Sequence, residues 1–306
     1  SVEAGTVLAN ITGDCFMVQG VGSSLTLGAA TLDGCGMSAI SMYEPGLVTA
    51  TGLIIDGAGD TGVEIGDGVV ALDSVSITNS GINGISVQGG QLTAISPSIT
   101  NSGNDGVSVS FSGLSEGSVT LIGGTIVGAG GNGAEITGGI LDLQGTAISA
   151  TTLQGLVATG GVVTGTSGSI LGGSVGVNVN GTANVTLDDW TLTGALAQGA
   201  LVSGGTLTLT DGSVAGTGGD GVLATGGALY IDGTTIGTAT EDGVALSGTV
   251  VASVQGAFLE TNTGFGLSCD GGQGDPSSST VTLDPCTATP SGNVAGDYEL
   301  INGCEL

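Results

Sequence analysis

The densest local group of chemically capable side chains is Asp188, Asp189 and Trp190, with Asp211 and Asp232 recurring about 22 residues apart after it. Two carboxyl groups at a suitable separation can serve as acid and base on a glycosidic bond without any cation, so carboxylate-only glycoside hydrolysis is the enzymatic chemistry open to this set. The competing reading makes Asp188 and Asp189 an exposed strand end and turn. Asp220 and Asp242 raise a second possibility, a calcium site, because acids recurring once per repeat can bring carboxylates together. The GGDG at Gly218 to Gly221 resembles calcium-binding nonapeptide repeats superficially, but it recurs every 22 residues instead of every nine. These two aspartates are weak calcium candidates, and no cofactor is otherwise expected.

Composition closes most other routes. The 306 residues include 27 Asp plus Glu and no Lys, Arg or His, for a formal net charge of −27. Nucleic-acid binding requires cations to neutralise phosphates. General acid-base work by His, charge stabilisation by Arg or Lys, and His-based zinc sites are likewise excluded. With so little catalytic equipment, the sequence predicts no enzyme. No run of about 18 apolar residues supports membrane insertion. The chain starts at Ser1 with no basic, apolar, small-residue leader, which fits a mature or trimmed product. Charged residues are only 9% and hydrophobic ones 40%, so the chain can bury a core despite its acidity.

The elements that must position these residues are repeats. Val69 to Gly90 (VVALDSVSITNSGINGISVQGG), Ser118 to Gly139 (SVTLIGGTIVGAGGNGAEITGG) and Thr206 to Gly227 (TLTLTDGSVAGTGGDGVLATGG) superimpose residue by residue. Related copies start near Ser1, Ser23, Leu47, Gln91, Ile140, Val162, Ala183, Ala228 and Val250. A degenerate copy from about Ser279 makes roughly thirteen coils of about 22 residues, interrupted by a five-residue insertion near Phe111 to Glu116. Each copy holds three short alternating runs punctuated by Gly, Asn, Asp and Ser, the pattern of short β-strands joined by turns. One column, Ile55, Ile77, Ile99, Ile126, Ile148, Ile170, Leu192, Val214, Ile236 and Phe258, is expected to face inward. A glycine column through Gly62, Gly84, Gly106, Gly133, Gly155, Gly199, Gly221 and Gly243 marks a turn needing positive φ or close backbone approach.

The blocks ITNSGINGISVQGG at Ile77 to Gly90 and ITNSGNDGVSVS at Ile99 to Ser110 resemble the right-handed parallel β-helix repeat proteins, which include bacterial surface and adhesin-like proteins as well as polysaccharide lyases and hydrolases. The resemblance implies an all-β solenoid with three short strands per coil. It also supplies the hand, while leaving function open. We expect a single domain over 1–306, with N-terminal coils at 1–46, regular coils at 47–249, and C-terminal coils with a cysteine-containing cap at 250–306.

Five cysteines, Cys15, Cys35, Cys269, Cys286 and Cys304, sit in the terminal coils, where staples help most. Pairing of Cys269 with Cys304 and of Cys15 with Cys35 is expected. Cys286 is left as a free thiol, a small buried hydrophobe or an intermolecular link. Such bonds imply an oxidising compartment, hence an extracellular or cell-surface location. Between inward residues of the third run, Val157, Leu201, Leu223 and Ala245 replace the polar Glu64, Ser86, Ser108 and Glu135 of earlier coils, an outward apolar stripe suited to an interface. Threonines at Thr26, Thr49, Thr93, Thr120, Thr164, Thr186 and Thr208 share an outward column. Interruption by Asp73, Ile95, Asp142 and Tyr230 argues against an ice-binding surface. Asn10-Ile11-Thr12, Asn180-Gly181-Thr182 and Asn184-Val185-Thr186 match the glycosylation sequon. Together these features predict a non-enzymatic extracellular structural protein that assembles with itself into a fibre or coat, with an adhesin-like or carbohydrate-binding protein recognising surface glycans as the alternative.

Overall fold

The computed structural model describes the whole chain except residues 112, 114, 271–279, 284–288 and 302–306. It divides into two units, Ser1–Leu153 and Gln154–Leu306. Each is a parallel β-solenoid, with about twelve turns over the chain and no helix among the described residues. Of the thirteenth copy expected from about Ser279, three strands are described, Thr280–Leu283, Thr289–Ser291 and Gly296–Ile301, each paired in parallel with the preceding coil.

A coil of the first unit consists of a five-residue strand (Val69–Asp73), a short strand (Ser76–Thr78) and a third strand (Ile85–Val87). Each pairs in parallel with its counterpart one coil on: Val70 opposite Leu92, Ile77 opposite Ile99, and Ile85 opposite Val107. Period-two alternation puts Val70 and Leu72 inside while Val69, Ala71 and Asp73 face out. The predicted isoleucine column is the core ladder of both units. Ile55, Ile77, Ile99, Ile126 and Ile148 in the first, and Ile170, Leu192, Val214 and Ile236 in the second, are all 0–1% exposed. Burial on this scale contributes roughly 1.5–3 kcal/mol per side chain.

The column ends differently from expectation. Phe258 is 44% exposed, and Leu259 takes the position opposite Ile236. The cause is a bulge: Ala224 pairs with Leu246 but Gly226 with Thr249, so the later coil carries one extra residue and every subsequent side chain changes face.

The glycine column has one of its two expected causes. Gly62, Gly84 and Gly106 do not have positive φ. A Cβ on Gly84 would lie 2.6 Å from the Gly106 carbonyl oxygen and collide with Ile99 Cγ2, so close approach of coil to coil is what demands glycine. Positive φ falls instead at the turn after the five-residue strand (Ser74, Ser96, Ser167, Asp189, Asp211) and after the short strand (Asn79, Asn101). There Asn79 Nδ2 donates to Asp56 Oδ1 (2.8 Å), offsetting part of the left-handed penalty.

Candidate functional site

In the first unit, the outward position of the third strand forms a row: Ser41, Glu64, Ser86, Ser108 and Glu135, each opposite the next in register. Ser41 and Ser86 in this row are 0% and 8% exposed, while Glu64, Ser108 and Glu135 are half-buried.

At the N-terminal end of this row a carboxylate pair is assembled. Asp14 precedes the third strand Phe16–Val18, and Glu64 is the centre of Val63–Ile65 two coils on. Ser38 bridges them: its backbone N–H donates to Asp14 Oδ1 (3.0 Å) and its hydroxyl donates to Glu64 Oε2 (3.0 Å). Ser41 Oγ donates to Asp14 Oδ2 (2.7 Å), and Tyr43 OH donates to Glu64 Oε2 (2.9 Å). Both Asp14 oxygens are therefore occupied. Burial, reinforced by the hydrogen bond to Glu64 and by the charges of Glu64, Asp14 and Asp60, pushes the Tyr43 hydroxyl up to about 12, so it remains a neutral donor. The ring is 46% exposed and offers an aromatic face beside the carboxylates.

A second acid pair closes the row. Asp105 is 2% exposed; its Oδ1 accepts the Asn132 N–H (2.8 Å) and its Oδ2 accepts Asn104 Nδ2 (3.0 Å). Glu135 is raised by burial, then by its hydrogen bond to Asp105 and by that group's charge, partly offset by Asn132.

The acids singled out in the sequence are placed otherwise. Asp188 is an exposed strand end lying in register between Thr166 and Thr210. Asp189 occupies a left-handed turn (φ 54°) and accepts a hydrogen bond from Ser167 Oγ (3.0 Å), while Trp190 is buried in the core. Asp211 holds the equivalent turn, and Asp232 the equivalent strand end, on later coils. Asp220 Oδ1 accepts the Asp242 N–H (3.0 Å) and Asp242 Oδ1 accepts the Phe265 N–H (2.7 Å), so both carboxylates serve the turn backbone. Burial, with repulsion from Glu241 and Asp242, raises Asp220 to about 6 against the pull of the Asp242 amide. Among the described residues no group of three or more His, Cys, Asp or Glu could hold a metal ion.

The apolar stripe is recessed. Val157 is 7% exposed, Leu201, Leu223 and Ala245 are half-buried, and Asn178 interrupts the column between Val157 and Leu201. Cys15 and Cys35 form a disulfide with their Cα atoms 5.5 Å apart. Cys269 is also disulfide-bonded, while Cys286 and Cys304 lie outside the described residues. Disulfide bonding places the chain outside the reducing cytoplasm.

No family model matches the chain, and no curated protein does. Among solved structures, a periplasmic alginate epimerase is similar with a TM-score of 0.55 and 8% identity, over 91% of this chain and 77% of that one. The A-module of a mannuronan C-5 epimerase from Azotobacter vinelandii is similar with a TM-score of 0.50 and 14% identity, over 98% and 88%. At these identities the likeness is one of fold, and it bears out the parallel β-helix resemblance.

These comparisons correct the expectation of a non-enzymatic fibre, coat or adhesin: both similar solved structures named above are epimerases of polysaccharides, alginate and mannuronan. The error had a physical source. Missing His, Lys and Arg exclude particular chemistries, but a carboxylate pair needs none of them. Asp14 and Glu64 are 50 residues apart in degenerate coils, so no local motif marks them. The available signal was that Ser41 and Glu64 occupy one repeat column.

Proposed function

We propose that the chain is a carbohydrate-processing enzyme that cleaves a neutral polysaccharide laid along the outward row of third strands in the first unit. The observation that carries this is the Asp14–Ser38–Glu64 bridge. One serine and two 3.0 Å hydrogen bonds link the carboxyl groups, which limits the separation of the bonded oxygens to about 10 Å, compatible with the roughly 5–9.5 Å used by glycosidase pairs. Glu64 Oε2 is held by Ser38 and Tyr43, leaving Oε1 as the oxygen free to act as base or nucleophile. Asp14, fixed at both oxygens, is the second carboxyl of the pair, and the Tyr43 ring is a platform for the apolar face of a sugar. The fold likeness to alginate and mannuronan epimerases supports the polysaccharide class.

The substrate is neutral because the chain has no counter-charge. A uronate brought to about 4 Å from Glu64 would cost roughly 1–4 kcal/mol per like pair, and 306 residues supply no Lys, Arg or His to offset it. A polymeric substrate also argues for action outside the cell.

Sugar release from a panel of neutral and uronate-containing polysaccharides tests the reading. Release from a neutral glycan is expected to fall about 100-fold or more in Glu64→Gln and in Asp14→Asn, with Asp188→Asn and Asp189→Asn unaffected. Full activity in Glu64→Gln, or release only from uronate polymers, would overturn it.

A further inference from the structure

We infer that Asn180 is a site of spontaneous deamidation, poised by the turn it shares with Gly181. The reaction begins when a backbone nitrogen attacks the Cγ of the preceding asparagine. It is fastest where the following residue has no side chain to hinder the attack, and it needs that residue's backbone N–H not to be committed to an acceptor. Four Asn-Gly pairs occur: Asn83-Gly84, Asn132-Gly133, Asn180-Gly181 and Asn302-Gly303. The last lies outside the described residues.

The solenoid protects Asn83 in two ways. Gly84 N–H donates to the Asp105 carbonyl (3.0 Å), and Asn83 Oδ1 accepts both the Asp105 N–H (3.1 Å) and Asn104 Nδ2 (3.3 Å). Nitrogen and side chain are both held by the next coil. Asn132 is 9% exposed, so the water that opens the imide reaches it poorly.

Asn180-Gly181 has neither protection. It follows the strand Val175–Val179 and precedes Asn184–Asp188. The flanking amides are engaged: Asn180 N–H donates to Ala158 O (2.9 Å), Thr182 N–H to Thr159 O (3.2 Å) and Ala183 N–H to Asn180 O (3.3 Å). Among the described residues the Gly181 N–H has no acceptor and the Asn180 side chain no partner. Gly181 and Thr182 are exposed, so water reaches the turn.

The balance is simple. Gly181 N bonds to Asn180 Cγ, and the side-chain amide leaves as ammonia, taking up the proton that Gly181 N loses. Water then opens the cyclic imide at either carbonyl. The net change is one amide and one water converted to one carboxylic acid and one ammonia, as aspartate or as isoaspartate with an extra backbone methylene. Each event adds one negative charge to a chain already at −27.

The test is incubation of the folded chain at mildly alkaline pH, followed by peptide mapping by mass spectrometry and enzymatic isoaspartate detection. With no Lys or Arg for trypsin, cleavage must use pepsin or an acidic-residue protease. The same incubation in denaturant provides the unprotected rate for every pair. In the folded chain Asn180 should convert close to its denatured rate and at least about tenfold faster than Asn83, and Asn180→Gln should abolish the acidic product in the peptide that spans residue 180. Conversion of Asn83 and Asn132 as fast as Asn180, or an Asn180 slowed about tenfold or more by folding, would overturn the proposal.

Discussion

Replacing Asp220 by Asn should stabilise the protein at neutral pH and leave it unchanged in acid. Asp220 is 7% exposed, and its pKa rises from an ordinary 3.8 to about 6 through burial, with repulsion from Glu241 and Asp242. Between these values the unfolded chain has lost the proton and the folded chain has kept it, so stability falls as pH rises from about 4 to 6 and stays low above. A shift of about two units corresponds to roughly 3 kcal/mol. Solvent screening at this turn reduces that to about 1–2 kcal/mol. Asn keeps the oxygen that accepts the Asp242 N–H, so the substitution removes the charge alone. The variant's melting temperature should exceed wild type by roughly 2–8 °C at pH 8, and the gap should close below about pH 4. Asp220→Ala separates the two effects: it also removes the acceptor, leaving a buried amide unpaired at a cost of about 1–3 kcal/mol. An Asp220→Asn variant no more stable than wild type at pH 8, or a gap that persists in acid, would refute the reasoning.

Gly84→Ala should destabilise by about 1–3 kcal/mol because its Cβ meets Ile99 and the Gly106 carbonyl, whereas Gly13→Ala, with nothing within 4 Å, should stay within about 0.5 kcal/mol; denaturant melts of the pair check this. Gly165 makes room for Trp190, whose Nε1 would lie 2.7 Å from an added Cβ. Gly165→Ala is therefore expected to lose about 1–3 kcal/mol, and less in a Trp190→Phe background, as a double-mutant cycle would show. Reduction of Cys15–Cys35, which are 20 residues apart, should cost about 3 kcal/mol and appear as faster hydrogen exchange at Phe16–Val18 and Ile40–Met42; unchanged exchange there would count against the staple.

The sequence made the fold legible because each coil repeats the same spatial problem. An inward isoleucine at Ile77 must match Ile99 and Ile126, so the column can be read without coordinates. Legibility stopped where the period broke. One extra residue before Thr249 moved Phe258 out and Leu259 in, and nothing local announces a bulge within VALSGTVV. The candidate site was hidden for a related reason. Asp14, Ser38 and Glu64 are neighbours only through parallel register across coils of irregular length, whereas Asp188 and Asp189 are adjacent in sequence and therefore conspicuous. Adjacency along a strand sends alternate side chains to opposite faces or into a turn, and Asp189 does enter the left-handed turn.

In several outward columns the acids are spaced across the coils so that they are tolerated without cations. Along one outward column of the second unit the register runs Thr166, Asp188, Thr210, Asp232, Gln255, with each acid flanked by neutral residues. One coil is about 4.8 Å, so acids two coils apart are separated by about 9.6 Å. That is close to the screening length of physiological salt, roughly 8–10 Å, while directly opposed acids sit well inside it. The first unit does the same at Ser41, Glu64, Ser86, Ser108 and Glu135, where hydroxyl residues separate the acids. Asp33 opposite Asp56, Asp189 with Asp211, and Asp220 with Asp242 break the rule at strand ends and turns, where side-chain or backbone donors reach Asp56, Asp189, Asp220 and Asp242. Alternation with Thr and Ser thus does the work that Lys or Arg would do in a charged stack. It also marks Asp105–Glu135 as an exception, a place where carboxyl groups on adjacent coils come together while hydrogen bonds from Asn104 and Asn132 hold Asp105 in position.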